Sequence, residues 1–180
     1  MIVRRERSND HAASRAVQVR AFGNGGAEKD GAENGGAEPA EARLLDDLRR
    51  CDGWLPALSW VVEIDGRIIG HNVCTRGHVG DVACVGLGPI GVDPDVQRSG
   101  VGTALMHAMI GAADAHGEPL IALLGDPAYY SRFGFVRSTD IGVEPPEPAW
   151  GVHFRVLPLS NWTAAMTGTF RYAAPFDAVS

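Results

Sequence analysis

The run Gln97-Arg98-Ser99-Gly100-Val101-Gly102 is the part of this chain whose residue types and spacing could hold an anion. It lies where an extended segment ending in Val92-Asp93-Pro94 gives way to an apolar-periodic helix. The first turn of a helix leaves amide N–H groups without intrahelical acceptors, its dipole favours negative charge there, and glycines remove the Cβ atoms that would block approach. Arg98 can add charge-assisted hydrogen bonds. Two nucleotide signatures fail on specifics. A P-loop requires G-x-x-x-x-G-K-[ST], and the one lysine is Lys29; a dinucleotide fingerprint requires a third glycine, where this chain has Leu105. Taken alone, the two glycines are equally well explained by a helix start packed tightly on a sheet.

The preceding strand adds context. In Asp81 to Val92, DVACVGLGPIGV, the glycines Gly86, Gly88 and Gly91 weaken pairing and Pro89 cannot donate to a ladder. The strand is therefore expected to bulge or part from a neighbour near residues 88–91. An anion site beside unpaired strand backbone suits a ligand with phosphates at one end and an amide-bearing arm that can pair as a pseudo-strand. Coenzyme A has that form.

The elements that must position this junction are legible from periodicity. Ile2 to Glu6 reads as a strand, and Ser8, Asn9 or Asp10 can cap a helix with Ala12, Ala16, Val19 and Phe22 on one side. Residues 23–39 are rich in Gly and Glu and lack aromatics, so they read as a flexible insertion; Gly25-Gly26-Ala27-Glu28 recurs as Gly35-Gly36-Ala37-Glu38, which is too short for a solenoid. Ala40 to Cys51 reads as a helix with Leu44, Leu45 and Leu48 inward. Leu58 to Ile64 and Arg67 to Thr75 read as strands joined by the hairpin signal Asp65-Gly66. After the glycine-rich strand come a helix at 100–116, a strand at 119–124, a short helix at 127–133, strands near 135–137 and 152–159, a helix near 161–167 and a last strand near 169–172. Hairpins followed by a βαβ step imply a mixed sheet in an α/β or α+β layered domain.

Composition bounds the function classes. The chain has 180 residues, 45% hydrophobic and 21% charged, which is ordinary for one globular domain. The net charge of -6 argues against a nucleic-acid backbone binder. Cys51, Cys74 and Cys84 are odd in number and never paired as C-x-x-C, so no disulfide framework or zinc knuckle is expected, and a cytoplasmic setting fits. No apolar run approaches the roughly 18 residues that span a bilayer, and no His, Cys or carboxylate cluster has metal-ligand spacing, so neither a membrane nor a metal is expected.

Gly86 to Pro94 together with Gln97 to Leu105 resembles motif A of the GNAT acyltransferases, and Gly125 to Phe135, GDPAYYSRFGF, resembles the segment after the next strand in the YhbS-like N-acetyltransferase subgroup. The likeness extends over about Leu58 to Phe176, including the tail GTFRYAAPF. It implies a GNAT-like fold: a mixed, mostly antiparallel central sheet flanked by helices, with strands splayed at the cofactor cleft. It implies an acetyl-CoA-dependent N-acetyltransferase, bacterial and cytoplasmic, that moves acetyl to a small-molecule or protein amine by direct attack. A non-catalytic acyl-CoA-binding sensor domain is the alternative, and the C-terminal strand offers a route to a homodimer.

Carried over by position, the amides of Arg98, Gly100, Val101, Gly102 and Thr103 would hold the pyrophosphate, within a loop that also contains Gln97 and Ser99. The backbone of Ile90 and Val92 would pair with pantetheine, with Gly91 between them as part of the cofactor-binding stretch. Tyr130, four residues before Gly134, falls at the family's thiol-facing tyrosine and would protonate the departing thiolate. The Ile90 N–H would polarise the carbonyl. No carboxylate lies inside the strand, so Asp81, Glu63, His71 and His78 are the candidates for a base acting through water, each also explained as a solvated surface group. Asp126 reads as an N-cap, Cys84 as a small buried hydrophobe, and His107 and His116 as helix-surface residues.

Overall fold

The structure is a computed structural model that describes residues 1–23 and 38–178. The Gly/Glu-rich insertion expected at 23–39 lies almost wholly outside the described residues. The helices are α1 (His11–Gly23), α2 (Ala40–Arg50), α3 (Val101–Ala115) and the one-turn α4 (Pro127–Tyr130). The strands are β1 (Ile2–Arg5), β2 (Trp60–Ile64), β3 (Arg67–Val79), β4 (Val82–Val92), β5 (Leu120–Leu124), β6 (Val136–Arg137), β7 (Val143–Glu144), β8 (Phe154–Pro158) and β9 (Gly168–Arg171).

They form one mixed sheet in the order β1-β2-β3-β4-β5-β8-β6, with β9 pairing β3 and β7. All neighbours on the main path are antiparallel except β4 and β5. That parallel pair is what a βαβ step through α3 must produce. Asp65 and Gly66 take φ values of 50° and 77°, the left-handed pair of a two-residue hairpin turn that matches the twist of β2 and β3. β3 is buried along most of its length because helices or the C-terminal arm cover both its faces, so it reads as a nearly continuous apolar run. On one face α3 buries Leu105, Met106 and Met109 against the sheet. On the other, α2 presents Leu44, Leu45 and Leu48 and binds Val73, while Phe154 and Phe170 fill the space beneath the arm. Glu41 in the first turn of α2 and Arg49 and Arg50 in its last complement the helix dipole.

Several expectations are corrected. α1 does not bury a face of Ala12 and Ala16, which are exposed; it buries Ser14, Val17 and Gln18. Two of those three are polar, so apolar periodicity alone points to the wrong stripe. They are buried because they have partners: Ser14 Oγ donates to Glu6 Oε1 at 2.6 Å, and Gln18 Nε2 lies 2.9 Å from His71 Nδ1. No helix forms near 161–167. Ser160 and Asn161 instead bind back to the end of α3, through Asp114 and the Gly117 carbonyl, and the chain continues in turns. Leu58 belongs to a short 3-10 turn and Trp60 begins the strand, while β3 runs on to Val79, past the expected end at Thr75.

Candidate active site

β4 and β5 are paired at Val85 with Ile121 and at Gly86 with Ala122, and then part. The split falls where the sequence places Gly88 and Pro89, and the β3–β4 register shifts in the same region, between Asn72 and Cys74. Gly86 makes room for the arm, since a Cβ there would sit 2.8 Å from Tyr172 Cδ1. Asp93 N–H donates to the Ile69 carbonyl at 2.9 Å. Backbone groups alternate along a strand, so the amides of Val92 and Ile90 face the other way, into the split.

α3 begins at the far end of this opening. Arg98 and Gly100 have φ values of 61° and 93°, so the loop curls through two left-handed residues around Ser99. The amides of Arg98, Gly100, Val101, Gly102 and Thr103 find no acceptor among the described residues. Consecutive free amides of this kind make an anion-binding concavity. A Cβ on Gly100 would meet nothing within 4 Å, so that glycine is required by its conformation and not by packing on the sheet. At Gly102 a Cβ would stand 2.7 Å from Tyr129 Oη, which marks a close approach between the α3 start and α4. The Gln97 and Ser99 side chains are already engaged, Gln97 Nε2 with the Val92 carbonyl at 3.3 Å and Ser99 Oγ with the Val96 carbonyl at 2.5 Å. The Gln97 backbone amide is engaged as well, donating to the Pro94 carbonyl at 3.4 Å.

Two cavities meet at Phe22, Ile90, Tyr129 and Tyr130. One, of ≈ 340 Å³, runs past Gly91, Val92, Gln97, Arg98 and Gly102 to the α3 start. The other, of ≈ 640 Å³, continues between the parted strands toward Glu41, Leu44, Trp150, Tyr172 and Phe176. α4 is held at this junction by Asp126, whose Oδ1 accepts from the Ala128 amide at 2.9 Å ahead of Pro127, the cap expected from the sequence. Its two tyrosines meet edge to face with centroids 4.9 Å apart, and Arg132 stacks 4.4 Å over the Tyr129 ring. Burial pushes the Tyr130 phenol up to about 12, with the nearby Tyr129 and Asp126 charges adding to the shift. Burial also pushes Tyr172 up, with a contribution from Tyr130 across the cavity.

None of the four candidate bases lines either cavity. Glu63 is paired with Arg4 at 2.9 Å. Asp81 and His78 stand at the opposite end of the β3–β4 hairpin, nine residues or about 30 Å along the strand from Ile90 in the case of Asp81. His71 is fully buried behind the sheet, fixed between Gln18 and Glu6. Cys84 is buried, and burial drives its thiol up to about 12, which suits a small hydrophobe and not a nucleophile. His107 and His116 are exposed on or beside α3. The carboxylates that do line the larger cavity are Glu41 and Asp126. Glu41, Trp150, Tyr172 and Phe176 were not singled out from the sequence; the aromatic density of the tail GTFRYAAPF was the available signal.

Among the described residues no group of three or more His, Cys, Asp or Glu could hold a metal ion, and no helix is long and apolar enough to cross a membrane.

A splayed mixed sheet with free strand backbone, followed by a glycine-opened helix whose first amides are free, defines the acetyltransferase fold of the GNAT superfamily. Residues 56–137 match the family model of the acetyltransferase (GNAT) domain. The chain is similar to the uncharacterized N-acetyltransferase YhbS of Escherichia coli, with 35% identity over 100 residues, 53% of this chain and 58% of that protein. The matched stretch thus spans less than two thirds of that relative's length. The crystal structure of E. coli YhbS in complex with CoA superposes with a TM-score of 0.84 and 26% identity, covering 98% of this chain and 91% of that one. A Brucella melitensis GNAT family acetyltransferase in complex with acetyl-CoA gives a TM-score of 0.73 and 28% identity, covering 98% and 97%.

Proposed function

We propose that this protein is an acetyl-CoA-dependent N-acetyltransferase that acts by direct attack of an amine on the thioester. The observation that carries this reading is the geometry of the two joined cavities, which leads from a cluster of free amides, along an unpaired strand edge, to a tyrosine hydroxyl at the split. The groups present fit the donor. The curled loop from Arg98 to Thr103 suits a diphosphate, and the amides of Ile90 and Val92 suit the amide-bearing pantetheine arm. The arm would bring the thioester to the junction shared by Ile90 and Tyr130, where acetyl-CoA supplies the acyl carbon and a thiol leaving group.

The amine nitrogen forms a bond to the carbonyl carbon, and the Ile90 N–H stabilises the oxygen as it gains charge. When the C–S bond breaks, the electron pair stays on sulfur and Tyr130 donates its proton there. A thiol of pKa ~8.5 is a stronger acid than this phenol, so Tyr130 cannot remain ionised. The nitrogen, which must shed a proton to become an amide, replaces it. The balance is one amine and one thioester giving one amide and one thiol, with no net change in the phenol. The neutral Tyr130 side chain that this requires is favoured by its burial. A purely acyl-CoA-binding role has no comparable support in the geometry, since it would need no proton donor at the split.

The described residues are read as one domain in a cytoplasmic bacterial protein, in line with the free cysteines and the bacterial relatives. Its amine acceptor is a small molecule or protein, and its acidic balance disfavours nucleic acid. β9 already has β3 and β7 as neighbours, so a homodimer would use a different surface.

Isothermal titration with coenzyme A and thiol release from acetyl-CoA over an amine panel test the assignment together. Uptake with amine-dependent thiol release is the expected result. Uptake without release for any amine would leave only a binding protein, and no uptake would remove the assignment altogether. A finer test uses Gly100→Ala. At φ of 93° a Cβ strains the loop by roughly 1–2 kcal/mol although space is open, so coenzyme A affinity should fall roughly 5–30-fold with little change in fold content. Unchanged affinity would place the diphosphate away from this loop.

A further inference from the structure

The larger cavity also carries information about the acceptor, and this step rests on the placement of the thioester between Ile90 and Tyr130. Beyond that junction the walls are of two kinds. Leu44, Leu123, Trp150, Tyr172 and Phe176 present apolar and aromatic surface, with Tyr172 and Phe176 rings 4.5 Å apart and Trp150 meeting Tyr172 at 6.2 Å. Among the described residues the charged groups that line it are Glu41 and Asp126, both acidic, and no Lys, Arg or His. Asp126 spends one oxygen on the α4 cap. The Glu41 carboxylate, half-buried on the first turn of α2, has no hydrogen-bond or ion-pair partner among the described residues.

We infer that the acceptor is a small primary amine with an apolar, preferably aromatic, body and no acidic group, and that Glu41 is the residue that selects it. Aromatic faces and an unpaired carboxylate are the two environments that attract an ammonium group, through the ring quadrupole and through direct charge. An α-amino acid would bring its own carboxylate into a cavity whose described residues offer two carboxylates and no cation, and like charges brought together without solvent are strongly disfavoured. The volume of ≈ 640 Å³ is that of a small-molecule pocket. Glu41 therefore captures the protonated amine at the cavity wall, and the amine releases that proton to water before its nitrogen reaches the thioester.

The test compares 2-phenylethylamine, L-phenylalanine, ethanolamine and a peptide with an apolar N-terminal residue, at saturating acetyl-CoA. 2-Phenylethylamine should show a kcat/KM at least ~10-fold above the other three, since one charge conflict or one lost apolar ring is worth about a decade or more. Glu41→Gln should raise its KM about 10-fold while leaving the KM for acetyl-CoA unchanged, and calorimetry should show its direct binding to the protein weakened by a similar factor. Glu41→Arg should reverse the order of 2-phenylethylamine and L-phenylalanine. Coenzyme A affinity, measured on every variant, reports both intact folding and the donor site. If coenzyme A binds and L-phenylalanine, ethanolamine or the peptide is preferred, or Glu41→Gln changes neither amine constant, or no amine is used, the acceptor assignment is overturned. If coenzyme A itself is not taken up, the failure belongs to the acetyltransferase reading beneath it.

Discussion

Tyr130→Phe should lower turnover by about 100-fold or more while leaving coenzyme A affinity within experimental error of the parent. The substitution removes one oxygen from a half-buried ring that packs edge to face on Tyr129 and Phe135, so the aromatic contacts that seat α4 survive it. What is lost is the only proposed donor to the departing sulfur. Because burial raises the phenol to about 12, Tyr130 stays protonated through the range in which enzymes are usually assayed, and its own ionisation should produce no loss of rate below about pH 11. The same ring can be displaced without removing its hydroxyl. A Cβ at Gly125 would overlap the Tyr130 ring, which is rigid and backed by Phe135, so Gly125→Ala should also depress kcat with donor affinity retained. Stopped-flow or steady-state thiol release together with calorimetry decides the matter. A Tyr130→Phe protein that turns over at the parental rate would sink the proton-donor role.

Glu6→Gln should destabilise the fold by about 3–5 kcal/mol at pH 8, because it leaves a buried arginine without its counter-charge. Glu6 is nearly inaccessible and is bound by Arg49 and by Ser14, whose hydroxyl donates at 2.6 Å. His71 Nε2 lies 3.2 Å from the same carboxylate oxygen. Gln18 Nε2 approaches His71 Nδ1, which puts the imidazole proton on Nε2, toward Glu6. This network ties β1, α1 and α2 to β3 directly behind Gly91, so it also supports the strand edge at the candidate site.

Its pH dependence follows from two shifts of the same sense. Burial alone would raise the Glu6 carboxyl, but the contacts from His71, Ser14 and Arg49 outweigh it and hold the group at about 2 against an ordinary 4.5. Burial lowers His71 from 6.5, with the Glu6 carboxylate opposing that effect. In both cases the unfolded chain takes up a proton at a higher pH than the folded one, so acid favours unfolding. Stability should therefore be greatest above about 6.5, decline below it as the unfolded imidazole protonates, and decline again from about 4.5 toward 2 as the unfolded carboxyl does. Urea unfolding midpoints at pH 8, 6 and 4 measure this. The Glu6→Gln protein should start lower and lose the decline that belongs to the carboxyl. Identical midpoints for both proteins at all three values would remove the network from the stability of the fold.

The sequence by itself determined the features whose cause is local. The two-residue turn at Asp65-Gly66, the Asp126-Pro127 helix start, the weakened strand around Gly88-Pro89 and the glycine-opened α3 each follow from backbone chemistry that a few adjacent residues specify. Because those features are also the motif of the superfamily, the fold and the candidate donor site were legible together. Apolar periodicity was enough for α2 and α3, where Leu44, Leu45 and Leu48 or Leu105, Met106 and Met109 supply the stripe. It was not enough for α1, whose buried Ser14 and Gln18 read as surface until Glu6 and His71 are brought beside them from residues 8 and 53 positions away.

The tertiary structure alone decided which charged groups face the cavity. Glu63, His71, His78 and Asp81 are as plausible in the chain as Glu41 and Asp126, yet strand parity, distance along the hairpin and burial remove the first four from the cleft. It also decided the acceptor wall, because α2, the turn at Trp150 and the arm carrying Tyr172 and Phe176 converge from separate parts of the sequence. The physical reason is that a backbone conformation is specified by its neighbours in the chain, whereas the surroundings of a side chain are specified by whatever the fold packs against it.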